Sequence, residues 1–120
     1  MPETVRPILV TADIARMARF YTGLFEAEVV ERYPDDGPLF YLGLRVGDSP
    51  LGLSADSDVS PGTPGRILLS IEVPDVEAAL ARVAGLGGDA GSGATDMPWG
   101  QRVAHVRDPD GNALNLTQQL

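Results

Sequence analysis

The sequence predicts an α+β fold of two tandem βαβββ modules, and three observations carry that reading. First, the chain repeats. Asp13-Ile14 falls on Asp75-Val76 at a shift of 62, and Gly23-Leu24 falls on Gly85-Leu86 at the same shift. At a shift of 63, Leu51-Gly52-Leu53-Ser54 falls on Leu114-Asn115-Leu116-Thr117. Repetition on this scale makes each half one supersecondary unit. Second, an aspartate precedes an amphipathic stripe in each half: Ile14, Met17, Phe20, Tyr21 and Leu24 after Asp13, and Val76, Ala79, Leu80, Val83 and Leu86 after Asp75. An Asp carboxylate accepts from the free amides of a first helical turn, so both read as helix N-caps. Third, two apolar-rich runs flank Asp108-Pro109-Asp110-Gly111-Asn112. Pro109 presets φ and Gly111 can turn left-handed, which predicts a hairpin within Arg102 to Leu120.

The elements follow in order. Met1 to Thr4 reads as a tail and Val5 to Thr11 as a strand. The first helix ends near Gly23. Strands are expected at Glu28 to Tyr33, Leu39 to Val46 and Leu51 to Ser54, with turns at Pro34-Asp-Asp-Gly37 and Gly47-Asp48-Ser49-Pro50. Ala55 to Gly65, rich in Ser, Asp, Gly and Pro, reads as a linker. Arg66 to Val73 opens the second half as a strand, and Gly85 to Gly93 leaves room for a short strand at most. The boundaries are thus 5–54 for the first module, 55–65 for the linker and 66–120 for the second, within one domain of 120 residues. Two curved sheets side by side would enclose a cleft. Along the last strand Leu114 and Leu116 face a core, while Asn115 and Thr117 face a pocket or solvent.

Composition narrows the function. There is no cysteine, so disulfides, thiolate metal sites and a cysteine nucleophile are excluded. The net charge is −8 and all nine basic side chains are arginine, which argues against nucleic acid. No basic-then-apolar leader and no apolar run of roughly 18 residues is present, so a cytoplasmic protein without a membrane association is expected. The acidic balance suits solubility, or attraction of cationic ligands by Asp35, Asp36, Asp56 and Asp58.

The tandem pattern, the Ala12-Asp13…Phe20-Tyr21 segment and the ending Pro98-Trp99-Gly100…Arg107-Asp108-Pro109-Asp110-Gly111-Asn112 together resemble the vicinal oxygen chelate superfamily. It comprises glyoxalase I, extradiol dioxygenases, fosfomycin-modifying enzymes and bleomycin-resistance proteins. The resemblance implies a divalent metal held by four inward side chains, from the first and fourth strands of each module. Mapped on this chain, those positions are Arg6, Arg66, Gly52 and Asn115. Arginine has no lone pair to offer, glycine has no side chain, and a neutral Asn is weak alone. Neither a metal nor another cofactor is therefore expected.

His105, the only histidine, should lie opposite Asn115 across the hairpin. It reads as a hydrogen-bonding or acid–base residue, or as an ordinary strand histidine. No Ser/His/Asp or Lys-based nucleophile set and no P-loop is visible, so no catalytic residue is assigned. The resemblance then points to the bleomycin-resistance branch, whose members sequester a drug. It implies that Trp99 stacks on ligand and that Ser54 is a polar pocket position. Trp99 also suits a core or dimer interface. Phe40 and Tyr41 alternate faces, and Phe40 is chosen for the pocket. Arg6, Arg66 and Asn115 would offer hydrogen bonds where relatives hold metal, and the two arginines favour an anionic or carbonyl-bearing ligand. The expectation is a metal-free antibiotic- or natural-product-binding protein that acts as a homodimer and confers resistance by sequestration. The alternatives are a metal-dependent lyase, isomerase or dioxygenase of the same superfamily, and a protein-interaction module.

Overall fold

A computed structural model describes residues 6–62 and 67–120. The chain divides into two compact units between Ser60 and Pro61. The expected strand starts at Val5 and Arg66, and Arg66 as a site residue, lie outside the described residues.

In the first unit β1 (Ile8–Thr11) leads into α1 (Ile14–Phe25), then β2 (Glu28–Tyr33), β3 (Tyr41–Val46) and β4 (Ser49–Ala55). The sheet order is β1-β4-β3-β2, with β1 parallel to β4 and the other pairs antiparallel. Asp13 caps α1 as the sequence predicts: its carboxylate accepts from Arg16 N at 3.0 Å, while Thr11 Oγ1 accepts from Asp13 N at 3.0 Å. The helix buries Ile14, Met17, Phe20, Tyr21 and Leu24 against Leu42, Leu44, Leu51 and Leu53 of β3 and β4. Phe20 and Tyr21 meet edge to face, their ring centroids 5.1 Å apart.

Four boundaries differ from the sequence reading. The helix runs two residues past Gly23, because Leu24 continues the buried stripe; Glu26, at φ 54, closes it after Phe25. The third strand starts at Tyr41 rather than Leu39. The turn before β4 is only Gly47-Asp48, since Ser49 and Pro50 already pair with Val46 and Arg45. β4 also runs one residue into the expected linker, to Ala55.

The second unit repeats this plan. β5 (Leu69–Glu72) is followed by α2 (Val76–Val83), a 3₁₀ turn (Ala84–Leu86), β6 (Ala94–Asp96), β7 (Gln101–Arg107) and β8 (Ala113–Gln119). The order β5-β8-β7-β6 reproduces that of the first sheet, β5 running parallel to β8. The fold is α+β, two four-stranded mixed sheets each with one long helix. Asp75 caps α2 by accepting from Ala78 N at 3.1 Å, and Gln118 Oε1 takes the Val76 amide at 2.9 Å. The helix packs Val76, Ala79 and Val83 toward Ala104, Val106, Leu114 and Leu116. The α-helix is shorter than the apolar stripe, which finishes as the 3₁₀ turn closed by Gly87 at φ 92. The Gly-rich segment gives an isolated bridge from Asp89 to Arg107, and β6 begins just after it.

The terminal hairpin has the predicted register, with His105 opposite Asn115. Buried Asp108 holds its turn by accepting from Asp110 N, Asn112 N and Asn112 Nδ2 at 3.0, 2.9 and 2.8 Å. Leu114 and Leu116 are buried as expected, but Thr117 is buried too, paired across the ladder with buried Val103. No helix among the described residues is long and apolar enough to cross a membrane.

Candidate functional site

Strand alternation leaves one face of each sheet without a helix. On the first sheet that face carries Ile8 and Val10 of β1, Gly52 and Ser54 of β4, and Tyr41 and Gly43 of β3. Gly43 and Gly52 stand directly opposite each other and leave a bare strip. Tyr41 and Glu31 fold across it: a Cβ on Gly52 would lie 2.7 Å from the Tyr41 hydroxyl, and one on Gly43 would lie 2.9 Å from Glu31 Oε1. Arg6 joins both, donating to Tyr41 Oη at 3.3 Å and pairing with Glu31 Oε1 at 3.3 Å.

This placement locates two of the expected site positions. Tyr41, not Phe40, is the aromatic on the open face; Phe40 precedes β3 on the opposite parity and is half-exposed. Arg6, just before β1, reaches the strip through Tyr41 and Glu31, while the parallel register sets Ile8 directly against Gly52. In the second unit the residue across from Asn115 is Ser70. Ser54 does lie on the open face, between Val10 and Tyr41.

On the second sheet the same face holds a cavity of about 210 Å³. Leu68, Asp89, His105, Arg107, Ala113 and Asn115 contribute to its walls. The structure therefore brings together two predicted residues, His105 and Asn115, whose Nδ1 and Oδ1 are 2.6 Å apart. An amide oxygen only accepts, so this contact is a hydrogen bond in the tautomer that carries its proton on Nδ1, the tautomer that leaves Nε2 as the acceptor. Sequence reasoning missed Arg107 and Asp89. The signal for Arg107 was present: two residues after His105 on one strand, it shares that face. Asp89 was not accessible from pattern, since a single bridge in an irregular segment places it, with N–H···O bonds of 2.9 Å in both directions to Arg107. Gly91 keeps this segment close: at φ 67, any Cβ there would meet the His105 carbonyl oxygen at 2.5 Å.

Trp99 does not join this cavity. It sits in the turn from Met97 to Gly100 at the other end of β7, 68% exposed, with Nε1 donating to Gln101 Oε1 at 2.8 Å. Near it Asp96 is held below the ordinary carboxylate range by its hydrogen bond to Arg102, whose guanidinium is in turn held more firmly protonated.

The chemistry of the residues does not fit a divalent metal. Ile8 and Gly52 offer no donor, Ser70 offers a neutral hydroxyl, and the Asn115 carbonyl is engaged by His105. Among the described residues no three His, Cys, Asp or Glu side chains are grouped to hold an ion.

Residues 4–116 match the model of the Glyoxalase/Bleomycin resistance protein/Dioxygenase superfamily. An uncharacterized protein of Mycobacterium bovis is 31% identical over 126 residues, covering 95% of this chain and 82% of its own. One of Mycobacterium tuberculosis is also 31% identical, covering 95% of this chain and 73% of its own. Among solved structures, a glyoxalase/bleomycin resistance protein/dioxygenase family enzyme of Burkholderia phytofirmans PsJN superposes with a TM-score of 0.79 at 20% identity, covering 96% and 97% of the two chains. TioX of Micromonospora sp. ML1 gives 0.75 at 21% identity, covering 98% and 97%. The fosfomycin resistance protein FosX of Listeria monocytogenes gives 0.78 at 12% identity, covering 100% and 95%. At these identities the solved structures establish likeness of fold.

Proposed function

This chain belongs to the glyoxalase/bleomycin resistance protein/dioxygenase superfamily, and from that premise we propose that it is a metal-free small-molecule binding protein. The observation that carries the reading is the pairing of two facts on the open sheet faces. The strand positions that the resemblance assigns to a metal fall among Ile8, Gly52, Ser70 and Asn115, while a cavity of about 210 Å³, mainly apolar but with Asp89, His105 and Arg107 in its wall, lies beside Asn115. Concave, partly apolar sites with a few convergent polar groups are the usual form of a ligand site. The bleomycin-resistance branch supplies the model for its role: sequestration by a homodimer, with Asn115 and His105 as ligand contacts in the second unit and Ser54 as a polar position on the open face of the first.

Native mass spectrometry of untagged protein prepared without chelators tests this directly. The expected species is a dimer without metal, empty or with an organic molecule retained. A stoichiometric transition metal in each chain would overturn the reading and direct work to lyase, isomerase or dioxygenase assays. Expression in a sensitive host should raise tolerance to the bound compound while the compound is recovered unchanged; a chemically altered product would replace sequestration with catalysis.

A further inference from the structure

The cavity of the second unit contains opposite charges that do not neutralise each other. Asp89 and Arg107 are joined through their backbones, yet no ion pair links their side chains among the described residues. One Asp89 oxygen accepts from Gly91 N at 2.9 Å, which leaves the other for a ligand. Arg107 offers the fork that suits a carboxylate. With Nδ1 donating to Asn115 Oδ1 across their 2.6 Å contact, His105 would present Nε2 as an acceptor. Leu68 and Ala113 supply apolar wall.

A ligand that satisfies these groups needs an anionic group for Arg107, a cationic donor for Asp89 and His105 Nε2, and a small aliphatic part. A ligand of single charge would leave one wall charge without a counterpart, and in a chain of net charge −8 a plain anion also meets an unfavourable overall field. Resting on the small-molecule reading above, we infer that this cavity takes a small zwitterion, carrying a carboxylate and an ammonium as an aliphatic amino acid does. Asn115 is a positioning residue: it fixes which imidazole nitrogen accepts.

Because His105 is the only histidine, its ring gives one set of signals, and a two-bond nitrogen–proton correlation spectrum reads its tautomer. The expected pattern is a protonated Nδ1 with a bare Nε2; a protonated Nε2 would overturn the acceptor role. Titration with valine and leucine should shift these signals saturably. Isovalerate, which lacks the amine, and isobutylamine, which lacks the acid, should bind at least roughly tenfold more weakly. Arg107→Gln and Asp89→Asn should each weaken binding of leucine by a similar factor, with backbone amide spectra otherwise unchanged. Equal binding of the analogues, or indifference to both substitutions, would overturn the inference. Should the zwitterions leave His105 unmoved while another co-purified molecule displaces its signals, the ligand class falls and the binding reading stands. Should native mass spectrometry find a metal in each chain, the broader reading falls instead.

Discussion

Gly111 illustrates how much one residue decides in this chain. Its φ of 86 lies in the left-handed region, and a Cβ there would collide with the Gly62 carbonyl oxygen. Gly37 has a similar φ of 95 but open space around it. The pair separates backbone strain from steric exclusion. Gly37→Ala should cost about 1 kcal/mol, the strain alone. Gly111→Ala should cost roughly 2–4 kcal/mol, because strain and displacement of the neighbouring segment add. Urea denaturation of both variants measures the difference; equal losses would mean that the Gly62 contact is absent in solution. The residue scale is also where sequence reading was weakest. Phe40 and Tyr41 are adjacent aromatics, and choosing between them required knowing where the strand starts, which pattern does not give. The pairing of Ile8 with Gly52 likewise depends on a parallel register that pattern does not give.

At the scale of elements, the sequence was far more legible. The Asp caps, the first helical stripe and the Asp-Pro-Asp-Gly-Asn turn are local signals, and each formed as read, while the second stripe ends as a 3₁₀ turn. The duplicated order of strands followed from the repeat. Irregular pieces escaped: the register shift between Val29 and Glu31, and the bridge at Asp89, rest on pairing across the sheet. The short β6 is joined to β7 by Asp96 and Arg102, their Oδ1 and Nε 2.7 Å apart. Hydrogen bonding to Arg102 lowers the pKa of Asp96 in the fold. A depressed folded pKa contributes stability above the unfolded value that is lost as pH falls through the folded one. Wild type should therefore resist thermal unfolding better than Arg102→Gln near neutral pH. The gap should close as pH drops below the ordinary Asp value of about 3.9. A gap that persisted undiminished at about pH 2 would assign the effect to packing of the arginine stem instead.

On the scale of the whole molecule, each unit has its own apolar layer between helix and sheet. Leu53 in the first and Leu116 in the second are fully buried and are topological counterparts, each in the last strand of its module. Leu53→Ala and Leu116→Ala should each destabilise by about 2–5 kcal/mol, measured by chemical denaturation. A loss below about 1 kcal/mol at either site would mean that its layer collapses around the vacancy. The repeat thus extends from order of elements to equivalence of core positions, which the overlay of Leu51-Gly52-Leu53-Ser54 on Leu114-Asn115-Leu116-Thr117 anticipated.

The bare strip on the first sheet bears on which side chains this face can take. At Gly52 any new Cβ would sit 2.7 Å from the Tyr41 hydroxyl and 3.1 Å from Ile8 Cγ1. A substitution as small as alanine therefore meets the tyrosine ring before it meets anything bound on this face. The strip stays bare only while position 52 has no side chain, and Tyr41 keeps its place over the sheet on that condition.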